Sequence, residues 1–300
     1  MQFKKLDELE GLGRKRNARR LAVAAAGDRQ VLIAVRNAAD NGLVQPVLIG
    51  NVEIISRLCR DIGYTPDPEM MIDEPDPEAS CIRAVKLIRE GKADILMKGM
   101  VSTAGLLKAV LDKEYGLRKR ELISHFSLIE VPSTGKLIGI TDAAMNIAPT
   151  LGEKACIISN AVEVYHRLGF KEPKVAALAP VETVNPRIGS TLDAAALQAM
   201  NRRKQIEGCV VDGPLALDNA ISAEAARHKG IGGPVAGKAD ILLAPDLNSG
   251  NILYKSLVYL SGGTAAAVIM GASVPIVLTS RADSEKNKYM SIALAAAMAD

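Results

Sequence analysis

The sequence predicts an α/β protein of two α/β domains with a cleft between them, and three observations carry that expectation. Short apolar runs recur along the chain, and each halts at glycine or small polar residues before a helical pattern begins, as at Leu21–Ala26, Gly27-Asp28 and Val31–Asn41. Strand, turn, helix, glycine stop and strand again is the order of a parallel sheet with crossover helices. The six residues Gly-Lys-Ala-Asp-Ile-Leu stand twice, at 91–96 and 237–242, each copy leading into a loop of small polar residues. In such folds the carboxyl end of a strand delivers polar groups to a ligand crevice, so a doubled unit implies two halves with a ligand between them. A chance match between Ala/Gly-rich segments is the plain alternative, and the strand–loop–helix reading of each copy does not depend on it. Finally, 300 residues with 48% hydrophobic and 24% charged content suffice for a large core in one or two domains.

Taken in order, a strand at Leu21–Ala26, a helix at Val31–Asn41 ended by Gly42 and a strand at Val47–Ile49 form the first βαβ unit. The Pro- and acid-rich piece Thr65–Pro77 reads as a surface connection, and a helix over 78–90 stops at Gly91, where the chain turns through a left-handed residue. A strand at Asp94–Met97, the loop Lys98–Thr103 and a helix to about Tyr115 follow. Residues 122–131 and 136–141, split by Pro132-Ser-Thr-Gly135, predict an antiparallel hairpin in an otherwise parallel sheet. Leu151, Ala155, Ile158, Val162 and Tyr165 form one apolar stripe of a long helix that Pro149 opens and Gly169 ends. Strands are expected at Val175–Ala179, at Gly208–Val211 and in the second copy of the hexapeptide, with helices at Thr191–Asn201, Ile221–Lys229 and Ile252–Leu260. Val274–Leu278 is the expected last strand, and an Ala-rich helix closes the chain.

The composition excludes several classes. A net charge of +3 from 37 basic and 34 acidic residues, with three Phe, six Tyr and no Trp, gives neither the basic face nor the stacking platform of a nucleic-acid binder. Cys59, Cys81, Cys156 and Cys209 are scattered, which predicts buried, reduced thiols in a cytoplasmic protein rather than a zinc site or a disulfide framework. His125, His166 and His228 lack ligand-like neighbours, so no metal is expected. No apolar leader stands at the amino terminus, and Ala265–Leu278, broken by Gly271, Ser273 and Pro275, is too short for a membrane span. The basic run at 14–20 reads as a solvated face, or alternatively as a contact for an anionic ligand.

Three strand ends carry the polar groups: Lys98–Thr103, Asp246–Asn251 and Ser280–Asp283. Asn248 and Ser249 are plausible helix N-caps, while the free N–H groups of such a helix start suit phosphate or carboxylate. Ser280 with Asp283 fits a capping box. Arg281, a planar fork matched to phosphate oxygens, is hard to explain as structure in a helix's first turn, where a cation is disfavoured. Neither a P-loop, nor Gly-x-Gly-x-x-Gly after the first strand, nor Gly-x-Ser-x-Gly is present. From residues alone this reads as an α/β enzyme for a phosphate-bearing substrate, working without metal or redox cofactor.

Three long segments narrow the reading. Pro-Asp-Leu-Asn-Ser-Gly-Asn-Ile-Leu-Tyr-Lys (245–255), Leu-Thr-Ser-Arg (278–281) and Thr-Asp-Ala-Ala-Met-Asn-Ile-Ala-Pro (141–149) resemble the phosphate acetyl/butyryltransferase family, over essentially the whole chain and most like its phosphate butyryltransferase branch. The resemblance implies reversible conversion of acyl-CoA and phosphate to acyl phosphate and CoA, with coenzyme A as substrate rather than bound cofactor. It implies two domains in the isocitrate/isopropylmalate dehydrogenase class, here 1–138 plus 280–300 and 139–279, and a homo-oligomer built on a dimer. By position, Ser280 and Arg281 match the family's Ser-Arg pair. Some acetyl-transferring members place an Asp seven residues after that Ser, where this chain has Asn287, so Asp283 becomes the candidate base. Ser124, His125, Asp142, Asn146, Asn248 and Asn251 fall in stretches that line the family's substrate site. Two other readings keep the fold: a metal- and NAD-dependent hydroxy-acid dehydrogenase or decarboxylase, and a non-catalytic sensor of CoA or acyl phosphate.

Overall fold

The computed structural model describes residues 4–15, 17–132, 135–280 and 282–299. The chain falls into two compact units, a middle unit of Met1–Leu6 with Leu122–Thr264 and a terminal unit of Asp7–Glu121 with Ala265–Asp300.

The terminal unit begins with α1 (Glu8–Arg14), β1 (Arg19–Ala24), α2 (Arg29–Asp40), β2 (Val44–Gly50) and α3 (Val52–Asp61). It continues through a short 3₁₀ turn into β3 (Met71–Asp73), α4 (Pro77–Arg89), β4 (Ile95–Lys98) and α5 (Thr103–Val110). The helix starts are written in the sequence. Asp28, Asn51, Asp76 and Ser102 each accept a backbone N–H at the opening of α2, α3, α4 and α5, and Pro77 occupies the first turn of α4, where a missing N–H costs nothing. Gly91 ends that helix at φ +66°, in the region glycine enters without strain.

The middle unit holds β5 (Ser124–Val131), β6 (Lys136–Thr141), α6 (Leu151–Arg167), β7 (Lys174–Leu178), α7 (Gly189–Arg202) and β8 (Val210–Leu215). Then come α8 (Leu217–Ile221), α9 (Ala223–His228), β9 (Ile241–Leu243) and α10 (Leu247–Lys255), which runs on into one π-helical turn over 256–260. β5 and β6 pair antiparallel from Phe126↔Thr141 to Val131↔Lys136, as the hairpin pattern predicts; its tip residues 133 and 134 lie outside the described residues. β6, β9, β7 and β8 then run parallel in that order. Thr150 and Glu153 form the capping box that starts α6. Gly139 makes room for the Phe126 ring, since a Cβ there would stand 2.8 Å from Phe126 Cε2.

The chain returns to the terminal unit with β10 (Thr264–Met270), β11 (Ile276–Val277) and α11 (Glu285–Met298). In this unit β2 pairs parallel with β3 and β1, β1 with β4 and β4 with β11, while β10 lies antiparallel to β11. The expected last strand at Val274–Leu278 contracts to two paired residues, and β10 was not foreseen, because the run Ala265–Leu278 turns back on itself at Gly271, Ser273 and Pro275. The carboxyl-terminal part of α11 is buried on every side, with Ile292 through Met298 at 0% exposure, against α1 and α2.

The repeated hexapeptide has one structural job in both places. Asp94 Oδ2 accepts the backbone N–H of Arg20, in the neighbouring strand β1, at 2.9 Å. Asp240 Oδ2 accepts that of Lys174, at the start of the neighbouring β7, at 2.8 Å. Each Asp N–H donates in return to the same residue's carbonyl, at 2.8 and 2.9 Å. The sequence places domain boundaries at 138/139 and 279/280; the compact units part at 6/7, 121/122 and 264/265. The hairpin partners β5 and β6 cannot be divided without breaking their ladder, and β10 stays with β11.

Of the cysteines, Cys59, Cys81 and Cys209 are buried and Cys156 is half-buried, all as free thiols. Burial pushes the Cys81 and Cys209 thiols up to about 11. Among the described residues, no helix is long and apolar enough to cross a membrane.

Candidate active site

In the middle unit the antiparallel register brings the amino end of β5 beside the carboxyl end of β6, and β9 delivers α10 to the same place. Asp142, directly after β6, is 3% exposed and accepts four hydrogen bonds. Oδ1 takes the backbone N–H groups of Ala144 and Met145, at 2.8 and 2.9 Å. Oδ2 takes Asn146 Nδ2 at 2.6 Å and the backbone N–H of His125 at 3.2 Å. Asp142 is thus a brace that shapes the 142–146 loop. Asn146 also donates to Ile123 O, at 3.1 Å, and is half-buried.

Ser124 is fully buried, and its hydroxyl accepts Asn160 Nδ2 of α6 at 2.9 Å. The His125 ring is 5% exposed and meets the Tyr254 ring of α10 edge-on at 6.0 Å. Its backbone carbonyl accepts the Thr141 hydroxyl at 2.8 Å. Asn251 donates to Ala143 O at 3.0 Å, and Asn248 is exposed in the first turn of α10. Ser124, His125, Asp142, Asn146 and Asn251 therefore form one connected cluster, with Asn248 at its rim.

The capping expectations need correction. Asp246 caps α10, accepting Ser249 N at 2.8 Å, and the Ser249 hydroxyl folds back on Asp246. The helix therefore starts five residues earlier than the apolar pattern at Ile252 suggests, since Asn248, Ser249 and Gly250 are polar or small. Gly250 is what lets α10 touch the cluster: a Cβ there would lie 2.2 Å from Asp142 O.

In the terminal unit, β11 leads to buried Thr279 and exposed Ser280. Arg281 lies outside the described residues. Asp283, 7% exposed, accepts the Ser280 backbone N–H on Oδ2 at 2.6 Å, and the Asp283 N–H donates to Ser280 O at 3.2 Å. This closes a tight turn before α11 instead of the expected capping box. Ser284 is the cap, accepting Asn287 N at 3.1 Å, so α11 opens at Glu285 and not at Ser280. Asn287 is 6% exposed and accepts the Ala265 N–H at 3.2 Å, bracing α11 against β10.

Lys98, expected to open the polar loop 98–103 and given no role of its own from the sequence, is instead the last residue of a strand. It ends β4, whose register with β11 pairs Met97 with Val277, so the two strands finish side by side. Its ammonium, on a side chain 6% exposed, donates to Gly99 O and Val101 O at 3.1 Å each and shapes the loop after β4. A lysine closing an apolar strand was the available signal. Among the described residues, no three His, Cys, Asp or Glu side chains gather as a metal site requires.

Both clusters sit at carboxyl ends of parallel strands, where α/β folds bind ligands. The family model described as phosphate acetyl/butaryl transferase matches residues 78–296. The chain belongs to this family. It is 45% identical to the phosphate butyryltransferase of Clostridium acetobutylicum over 297 residues, covering 99% of each. It is equally 45% identical to the phosphate acetyltransferase of Thermotoga maritima over 300 residues, all of both chains. Among solved structures it resembles a branched-chain phosphotransacylase from Enterococcus faecalis, with TM-score 0.82, 35% identity and coverage of 93% of this chain and 98% of that one. A fold likeness alone extends to a 4-hydroxythreonine-4-phosphate dehydrogenase from Burkholderia phymatum, at TM-score 0.56 and 14% identity over 94% of this chain and 98% of the other.

Proposed function

We propose that the protein is a phosphate acyltransferase that converts acyl-CoA and phosphate to acyl phosphate and CoA. Full-length identity of 45% to both a butyryl- and an acetyltransferase carries this reading. A phosphate oxygen attacks the thioester carbonyl, the new C–O bond replaces the C–S bond, and the phosphate's proton ends on the departing CoA sulfur. In the reverse direction a thiol of pKa about 8.5 is already a few per cent ionised near neutrality, so a strong base is not required.

In this reading Arg281 neutralises the phosphoryl oxygens and Ser280 hydrogen-bonds the sulfur or the tetrahedral oxyanion. Asp283, which accepts the Ser280 N–H on Oδ2, braces that loop and is the candidate base beside it. Asn146, Asn248 and Asn251 offer polar contacts to substrate, with Ser124, His125 and Asp142 holding them in place. The two-domain cleft and the dehydrogenase-like arrangement belong to this proposal, as does action in the cytoplasm.

A homo-oligomer built on a dimer is part of it too. Exposed Ile147 (74%), Ile252 (66%) and Leu260 (84%) support it, being large apolar side chains left in water around α10. The dehydrogenase alternative is not favoured, since likeness to that enzyme class extends to fold only.

The test is release of CoA from butyryl-CoA with and without phosphate. The expected result is release that requires phosphate and becomes irreversible when arsenate replaces it. Release that ignores phosphate sinks the proposal, and a series of C2 to C6 acyl-CoA substrates ranks the chain lengths.

A further inference from the structure

The middle unit carries a concavity at the end of its strands opposite the Asp142 cluster. Lys136 opens β6, Lys174 opens β7 and Asp240 immediately precedes β9, and all three line a cavity of about 940 Å³. Asp142, Asn146 and Asn251 belong to the carboxyl ends, so this cavity is no part of the candidate active site.

Its chemistry is specific. Among the described residues, Lys4, Lys136, Lys171, Lys174 and Lys238 line it against two carboxylates, Glu172 and Asp240. The whole chain carries 37 basic and 34 acidic residues, so this excess is a local concentration of cations. Beneath the lysines lies an apolar floor that includes Leu128, Tyr165, Leu168 and Phe170. Tyr165 and Phe170 meet edge to face, centroids 4.9 Å apart, and Phe170 is half-buried, its neighbour Tyr165 buried. Tyr165 is fixed by its hydroxyl, which donates to Asp240 O at 2.6 Å.

We propose that this cavity binds a phosphate-bearing organic anion of nucleotide size. Its volume lies at the upper end of small-molecule pockets, roughly 300–1,000 Å³, far more than inorganic phosphate fills. Lysines serve phosphate oxygens as point charges, and the aromatic and aliphatic floor suits a planar base or another apolar body.

The experiment is calorimetric titration of the full-length protein with ATP, beside inorganic tripolyphosphate as a probe of charge alone. Lys136→Ala/Lys171→Ala removes two exposed cations of the rim, and Lys238→Ala provides a second, single variant. Wild type is expected to bind ATP more tightly than tripolyphosphate, and the double variant to bind ATP about tenfold or more weakly. CoA release from butyryl-CoA is expected to be unchanged in both variants, which separates this cavity from the catalytic proposal. Absence of ATP binding at millimolar concentration, equal ATP affinity in wild type and both variants, or tripolyphosphate binding as tightly as ATP each overturns the proposal. So does a change of oligomeric state in the double variant by sedimentation velocity, which makes the face a subunit contact.

Discussion

At the residue scale, two identical hexapeptides each carry an aspartate at the fourth position, and the acidities of the two diverge. Burial pushes the Asp94 carboxyl up, but hydrogen bonds from the Arg20 side chain and backbone, together with its charge, outweigh this and hold it below its ordinary value. Asp240 is also pushed up by burial, and the Lys174 backbone N–H with the charges of Lys174 and Lys136 does not offset it, so it stays raised. A depressed carboxylate adds stability above its unfolded value and loses it as pH falls through its folded value. A raised one favours the folded state in acid, and that contribution fades as pH rises through its folded value. Asp94→Asn is therefore expected to lower the urea midpoint at neutral pH and to shrink its dependence on acid, whereas Asp240→Asn should leave the neutral midpoint unchanged or raise it. The same pair of curves for both variants would contradict the assignment to Arg20. For catalysis, Arg281→Ala should lower kcat for phosphate-dependent CoA release roughly 10²–10³-fold with the urea midpoint preserved; full activity would remove Arg281 from the mechanism.

Helix α10 decides how the polar groups of the middle unit meet, and its contact with the 142–146 loop runs through Gly250. Gly250→Ala places a methyl group against Asp142 O, which must move. A loss of about 1–3 kcal/mol is expected by denaturant titration, together with reduced CoA release, because Asn248 and Asn251 shift with the helix. Stability equal to wild type would show that the helix is not seated there. The Thr150 cap of α6 gives a calibration: Thr150→Ala should cost about 0.5–2 kcal/mol in the same titration and leave CoA release intact. Most elements were legible because their signals are local: aspartate and serine caps, glycine stops, the hairpin at 132–135. The strand β10 and the true start of α10 were not. An apolar stretch does not announce where it turns back, and a helix opening with Asn-Ser-Gly lacks the stripe that marks its later turns.

For the whole molecule, the unpartnered apolar side chains Ile252 and Leu260 on and after α10 are the expected subunit contact. On the proposed dimer, Ile252→Asp/Leu260→Asp should lower the sedimentation coefficient to that of a monomer; an unchanged coefficient in a dimeric protein places the contact elsewhere. The sequence by itself determined the α/β class, the doubled strand unit and, through three long segments, the family. These are written in periodicity, in turn chemistry and in runs of consecutive residues. Tertiary structure alone decided which polar groups at the strand ends are committed to the fold. Asp142, Asp246, Asp283 and Asn287 each accept backbone N–H groups, and a cap, a brace and a ligand contact draw on the same few side chains. Only the position of the neighbouring backbone distinguishes them, just as only folding gathers lysines from residues 4, 136, 171, 174 and 238 around one cavity.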